Sequence, residues 1–266
     1  MLQTLEVAYG PQTAVVWMNR PDQRNALDPR MIAELTEVFD ELGRDGEVRA
    51  IVLAGRGKAF CAGADLNHMR ASAAAPPAEN RADALALAAL LQTVHTCPKP
   101  TIARVHGACL AGGVGLVAAC DIAVASHEAR FGLSETRLGL IPAMVSPYVM
   151  RAIGARAASR WFLTGELFEA SEAWRLGLVH ELSPADELDL LVNELLGAFM
   201  MTSPEAVAEC KRLVRDVAGA DIDDALMEDT ATRLAARRAS NDALEGMTAF
   251  LEKRVPGWVP QWEEDR

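Results

Sequence analysis

Apolar positions alternate or cluster over residues 2–9 and 13–18, and Gly10-Pro11 separates the two runs; this predicts a β-hairpin. Residues 20–27 (RPDQRNAL) follow as a polar loop. Asp28 before Pro29 then predicts a helix start, with Asp28 as the cap and Pro29 in the first turn. Met31, Leu35, Val38, Phe39 and Leu42 share one face of that helix, and Gly43 is placed to close it. Residues 48–54, apolar except for Arg49, read as a buried strand. Residues 71–80 (ASAAAPPAEN) read as a loop or lid with little fixed structure, and residues 81–94 have helical periodicity. Later runs predict a strand over 121–125, a helical turn beginning at 131–135, helices over 143–153, 155–163 and 171–176, and a short strand over 178–182. Beyond Pro184 the pattern is almost wholly helical, which places a boundary near residue 190.

Residues 101–121 (TIARVHGACLAGGVGLVAACD) organise the rest. A β-branched run after Pro100 reads as a strand, His106-Gly107 ends it, and Ala111-Gly112-Gly113 turns the chain into a helix of small residues. Glycine at such a turn lets a ligand approach the backbone closely. The first amides of a helix have no internal acceptor and sit at the positive end of its dipole. Such a turn suits an anionic oxygen, whether phosphate or a developing oxyanion. Residues 59–66 (AFCAGADL) make a second small-residue turn after a strand.

Composition narrows the class. The chain has 266 residues, half hydrophobic, about a quarter charged, with a net charge of −11. It is long enough for a full core, and the acidic balance speaks against nucleic acid or an anionic membrane as partner. No run reaches the length of a membrane span, and the N-terminal residues lack the pattern of a secretion signal. Five cysteines fall in no CxxC or Cys/His metal spacing, predicting reduced, buried thiols in a cytoplasmic protein.

NRPDQRNALD, AFCAGADL, HGACLAGGVGLVAACDIAVAS, ARFGLSETRLGLIP and FLTGELFEASEAWRLGLVHEL, in that order and spacing, resemble the crotonase (enoyl-CoA hydratase/isomerase) superfamily over essentially the whole chain. The resemblance implies an α/β fold, a spiral of ββα units over residues 1–190 with the active site, and a helical trimerisation region over residues 191–266. It implies a homotrimer or dimer of trimers acting on acyl-CoA thioesters, with coenzyme A as part of the substrate and no separate cofactor or metal.

Carried over residue by residue, the oxyanion donors would be the backbone amides of Ala64 and Gly112. Ala26, Ala62, Asp65 and Leu66 match positions along the CoA and pantetheine path. Arg24 stands where a basic residue meets the CoA phosphates, and Phe250 and Lys253 match C-terminal CoA contacts. Glu135 matches the second catalytic carboxylate. The first falls at Gly115, which leaves space on the helix face one turn beyond Gly112.

One carboxylate favours an isomerase; LGLIPAMVSPYVMRAIG, including Met144, Val145 and Tyr148, favours similarity to bacterial methylglutaconyl-CoA and isohexenylglutaconyl-CoA hydratases of leucine and terpene breakdown. On that resemblance Gly115 would give room to a substituent of a branched acyl chain. The leading expectation is a hydro-lyase on a branched 2-enoyl-CoA, the alternative a Δ3-Δ2 enoyl-CoA isomerase, and the third a CoA-binding scaffold without activity. His68 and Arg70 read as surface residues, His106 as a hydrogen-bonded structural residue, and Arg137 as a cation near Glu135 that could equally face solvent.

Overall fold

A computed structural model describes residues 2–261. Strands β1 (Leu5–Gly10) and β2 (Thr13–Met18) form the expected hairpin, in register from Leu5 opposite Met18 to Gly10 opposite Thr13. A short 3-10 turn, Pro21–Gln23, leads into α1 (Pro29–Arg44). The Asp28 carboxylate accepts from the Met31 amide at 2.8 Å. The predicted apolar face is buried. Gly43 does not end the helix, which runs one residue further. Gly43 is instead where Pro98 comes close: a Cβ there would lie 3.2 Å from the proline Cδ.

Thereafter one unit recurs. A long strand in a first sheet bends within a few residues into a three-residue strand of a second sheet, and a tight turn leaves that strand. The first unit is β3 (Ala50–Gly55), β4 (Ala59–Cys61) and α2 (Leu66–Ala74), followed by α3 (Pro77–Thr96). Next come β5 (Thr101–Val105), β6 (Ala108–Leu110) and α4 (Gly112–Ala119). Then come β7 (Ile122–Ser126), β8 (Arg130–Gly132) and a 3-10 turn at Glu135–Leu138. The chain continues through α5 (Ser146–Thr164), β9 (Leu167–Glu169), α6 (Ala170–Arg175), β10 (Glu181–Ser183) and α7 (Leu188–Met200).

The first sheet has the order β1-β2-β3-β5-β7-β10 and the second β4-β6-β8-β9. All neighbours run parallel except the β1–β2 and β8–β9 pairs. This is the α/β architecture expected. Helix α4 is apolar all round, and Gly112 through Val117 are buried without exception, as a helix enclosed on every side requires.

Four expectations are corrected. Residues 71–80 are not a loop: α2 extends to Ala74 and α3 begins at Pro77, so Pro76-Pro77 marks a helix junction. The turn assigned to 131–135 starts only at Glu135, because Phe131 belongs to β8. Of the helices over 143–153 and 155–163, the first starts only at Ser146; the two are separated as expected, at Gly154, whose φ of 74° and ψ of 157° are not helical. The strand expected at 178–182 lies at Glu181–Ser183.

The chain divides into two compact units, Met1–Glu194 and Leu195–Arg266, the division falling within α7. The second unit holds α8 (Pro204–Val217), α9 (Asp224–Arg238) and α10 (Asn241–Glu252), capped by the side chains of Ser203, Asp223 and Ser240.

Candidate active site

Strands β4, β6 and β8 are parallel neighbours, with the register shifting between Ala59 and Cys61 of β4, so their carboxyl ends open on one edge of the second sheet. Ligands in parallel α/β folds bind beyond that edge. Here it carries three segments: Ala62-Gly63-Ala64 after β4, Ala111-Gly112 after β6, and Ser134-Glu135 after β8.

The first turn is set by the loop at 20–27. Asn25, at φ 56°, is fully buried. Its Oδ1 accepts from the Arg20 amide, and its Nδ2 donates to the carbonyls of Arg56 and Ala59. That fixes Leu27, which pairs in parallel with Ala64. The Leu27 amide donates to the Gly63 carbonyl at 2.7 Å, and the Asp65 amide donates to the Leu27 carbonyl at 2.8 Å. In such a bridge the neighbours of residue 64 make both bonds, so the Ala64 N–H is turned away from Leu27.

The second turn passes through Ala111 at φ 48°, ψ −113°, a conformation L-residues rarely adopt. Its amide donates to the Gly132 carbonyl and its carbonyl accepts from the Gly115 amide, which hold the residue there at a strain of about 1–3 kcal/mol. Among the described residues neither the Ala64 nor the Gly112 amide finds an acceptor.

Ala64 and Gly112 both line a cavity of about 740 Å³. Ala26, Leu27, Ala62, Asp65 and Leu66 line it on one side, and Ser134, Glu135 and the segment 140–145 on the other. Helices α2 and α3 add Asn67, Met69, Asn80, Ala84 and Leu87.

Two carboxyl groups line the cavity, and their environments push them apart. Burial raises the pKa of Glu135 above its ordinary value, offset only in part by its own backbone amide. Its Oε2 is buried and has no hydrogen-bond partner among the described residues. Burial also acts upward on Asp65, but the amides of His68 and Asn67 and the Arg20 guanidinium outweigh it, and the group stays below its ordinary value. Asp65 caps α2 and pairs with Arg20 at 3.3 Å. Glu135 is therefore the carboxyl able to carry a proton.

Of the other expected residues, Arg24 is exposed and outside the cavity lining; its carbonyl accepts from the Ala62 amide at 3.0 Å. Phe250 and Lys253 lie in the second unit, Phe250 with 84% of its surface exposed and Lys253 ending α10 in a left-handed conformation. The open position expected at Gly115 is filled. A Cβ there would lie 2.9 Å from the Val145 Cβ, closer still to Val145 Cγ1, and 3.4 Å from Leu91 Cδ2. Val145 takes that space and itself lines the cavity.

His68 bonds Asp83 through Nε2 at 2.7 Å, and the Ser72 hydroxyl approaches the same nitrogen at 3.2 Å, tying α2 to α3. The side chain is thus paired rather than free at the surface. His106 bonds the Gly57 carbonyl at 2.9 Å, as a structural residue would. Arg137 is exposed and does not line the cavity. Cys61, Cys97 and Cys109 are buried and in no disulfide, burial pushing Cys61 up to about 12, whereas Cys210 is exposed. Among the described residues no helix is long and apolar enough to cross a membrane.

Sequence reasoning missed the walls given by Met69, Asn80, Ala84 and Leu87: it read residues 71–80 as a loop and gave the helix over 81–94 no place at the site. The Ala-rich composition, favourable to helix, with Pro at a helix start, was the available signal.

Ala64, Gly112 and Glu135 thus line one cavity, with the Glu135 Oε2 buried in its wall. Residues 11–261 match the Enoyl-CoA hydratase/isomerase family profile. The crystal structure of an enoyl-CoA hydratase from Shewanella pealeana superposes with a TM-score of 0.94 at 40% identity, over 97% of this chain and 96% of that one. The short-chain-enoyl-CoA hydratase of Clostridium acetobutylicum is 33% identical, over 91% of this chain and 92% of its own. The mitochondrial Delta(3,5)-Delta(2,4)-dienoyl-CoA isomerase of Dictyostelium discoideum is 32% identical, over 89% and 84%. The chain belongs to the enoyl-CoA hydratase/isomerase family, and is an enzyme of that family acting on acyl-CoA.

Proposed function

We propose that the protein is a hydro-lyase that adds water across the C2–C3 double bond of a 2-enoyl-CoA with Glu135 as its single acid/base. The observation that carries this is the buried Glu135 Oε2, unpartnered and raised in pKa, on the same cavity as the free amides of Ala64 and Gly112. The thioester oxygen accepts from both amides. Glu135, as carboxylate, takes a proton from water while the water oxygen bonds C3, and the C2–C3 π electrons move to the thioester oxygen as an enolate. The carboxyl then returns the proton to C2, so the water is delivered whole and Glu135 is restored. Losing one preorganised donor from such a pair costs roughly 10²–10³ in rate.

The acyl chain we assign is apolar where it meets the protein. Among the described residues no Lys, Arg or His lines the cavity, and an unpaired carboxylate buried there would cost on the order of several kcal/mol. A branched chain with a second carboxylate, as in methylglutaconyl-CoA, thus draws support from the bulky Met144 and Val145 wall alone.

The Δ3-Δ2 isomerase reading is supported by the single proton-carrying carboxyl, which suffices to move a proton from C4 to C2, and by the isomerase among the relatives. We also assign a homotrimer or dimer of trimers; the exposed Leu244, Met247, Phe250 and Leu251 of α10 support an apolar contact surface, and light scattering tests it. Incubation with crotonyl-CoA, methylglutaconyl-CoA and a 3-enoyl-CoA, read by mass, tests the reaction: hydration adds a water's mass and isomerisation leaves the mass unchanged. Hydration of none of them overturns the hydro-lyase reading.

A further inference from the structure

Gly112 and Gly115 are three residues apart on α4, so they lie on the same face about 4.5 Å along the helix axis. Val145 is the side chain packed on that face at Gly115. It is 3% exposed yet lines the cavity, in a wall that also holds Met144 and Glu135. A thioester oxygen held at the Gly112 amide therefore directs the carbons one or two bonds beyond the carbonyl toward Val145.

This wall cannot retreat. The Val145 carbonyl accepts from the amides of Tyr148 and Val149 at 3.1 and 3.0 Å, which anchor its backbone at the start of α5. Its side chain is branched at Cβ and stiff about χ1. Behind it stand the Gly115 backbone and Leu91. Met144 alongside is unbranched, only half buried and able to adapt. The two adjacent residues divide the work: a fixed wall by the reacting carbons and a pliable one beside it.

We propose that Val145 determines specificity by excluding a substituent at C2 of the acyl chain, so that the enzyme takes 2-enoyl thioesters unsubstituted at that carbon. The proposal rests on the assignment of the oxyanion donors under the proposed function.

Wild type, Val145→Ala and Val145→Ile are compared on crotonyl-CoA and on tiglyl-CoA, its 2-methyl analogue. Val145→Ala is expected to raise the ratio of kcat/KM for tiglyl-CoA over crotonyl-CoA by about tenfold or more, the scale of one methyl group in an apolar pocket, and Val145→Ile to lower it. Equilibrium binding of butyryl-CoA and 2-methylbutyryl-CoA reads the same preference without turnover. Circular dichroism confirms that each variant is folded. A preference unchanged within twofold in both folded variants, in turnover and in binding, overturns the role of Val145. A wild type that binds both saturated esters but hydrates neither enoyl ester overturns the hydratase reading instead, and the binding preference still decides Val145.

Discussion

Gly63 stands against Ala111 so closely that a Cβ on residue 63 would lie 3.0 Å from the Ala111 Cβ and 3.3 Å from the Leu110 carbonyl oxygen. The two turns are thus built against each other, so that the amides we propose as donors share one contact. Gly63 also has φ of 91°, which side-chain-bearing residues rarely adopt. Gly63→Ala is expected to move both turns: turnover should fall by roughly two orders of magnitude, the scale for a displaced oxyanion donor, and urea unfolding should show a loss of about 1–3 kcal/mol from backbone strain. Turnover kept within a few-fold would show that the donors tolerate displacement of this turn.

Glu135→Gln removes the proton carrier while keeping shape. Turnover should fall by about 10²–10⁴, with acyl-CoA binding by calorimetry little changed. Stability gives an independent reading. The folded-state pKa of Glu135 is raised above its ordinary 4.5. The contribution of this group is therefore full below pH 4.5 and is lost as pH rises through the folded value, where a buried charge must form. The variant never ionises. Its stability relative to wild type should be higher at pH 7.5 than at pH 4, measured by urea unfolding at both. An equal difference at the two values would place Glu135 in water.

How far the sequence reached can be judged from particular residues. Runs such as Val52-Leu53-Ala54 and Ile102-Ala103 are long and buried, and the first sheet was legible from them. The second sheet was not, since β4, β6, β8 and β9 have three residues each, less than two periods of strand alternation. The turns leaving those strands were legible because they need small residues for close approach, and the resemblance marked the same positions. Gly115 was misread for a different cause. A glycine shows that a side chain is missing, but what fills the space is Val145, thirty residues away and brought there by α5. Local pattern carries no record of such a contact.

That contact makes Gly115 a packing position. In an open helix interior, Gly→Ala would stabilise by up to about 1 kcal/mol. Here the added methyl meets Val145, which is stiff and held from behind, and overpacking a close-packed core typically costs about 1–3 kcal/mol. Gly115→Ala should thus destabilise in urea unfolding, and Gly115→Ala combined with Val145→Ala should recover part of the loss, since the two residues share one space. Gly115→Glu, which an open position would accept, should instead fail to fold stably. A stabilised Gly115→Ala protein would show that Val145 yields after all.

Gly112 allows the donor itself to be isolated. It is the first residue of α4, a position where proline is well tolerated because its missing N–H has no intrahelical partner and its φ suits a helix start. A Cβ at this site meets one atom within reach, Leu27 Cδ1 at 2.8 Å, the end of a flexible side chain. Gly112→Ala and Gly112→Pro therefore impose the same contact on Leu27, while only the proline removes the N–H. Alanine is expected to retain most of its turnover once Leu27 has shifted. Proline should fall a further 10²-fold or more, about the cost of one oxyanion donor. Proline also constrains the residue before it, and Ala111 already has an unusual backbone, so circular dichroism and thermal unfolding must show both variants folded. Equal turnover in two folded variants would take the Gly112 amide out of the mechanism, leaving Ala64 as the one backbone donor at the thioester oxygen.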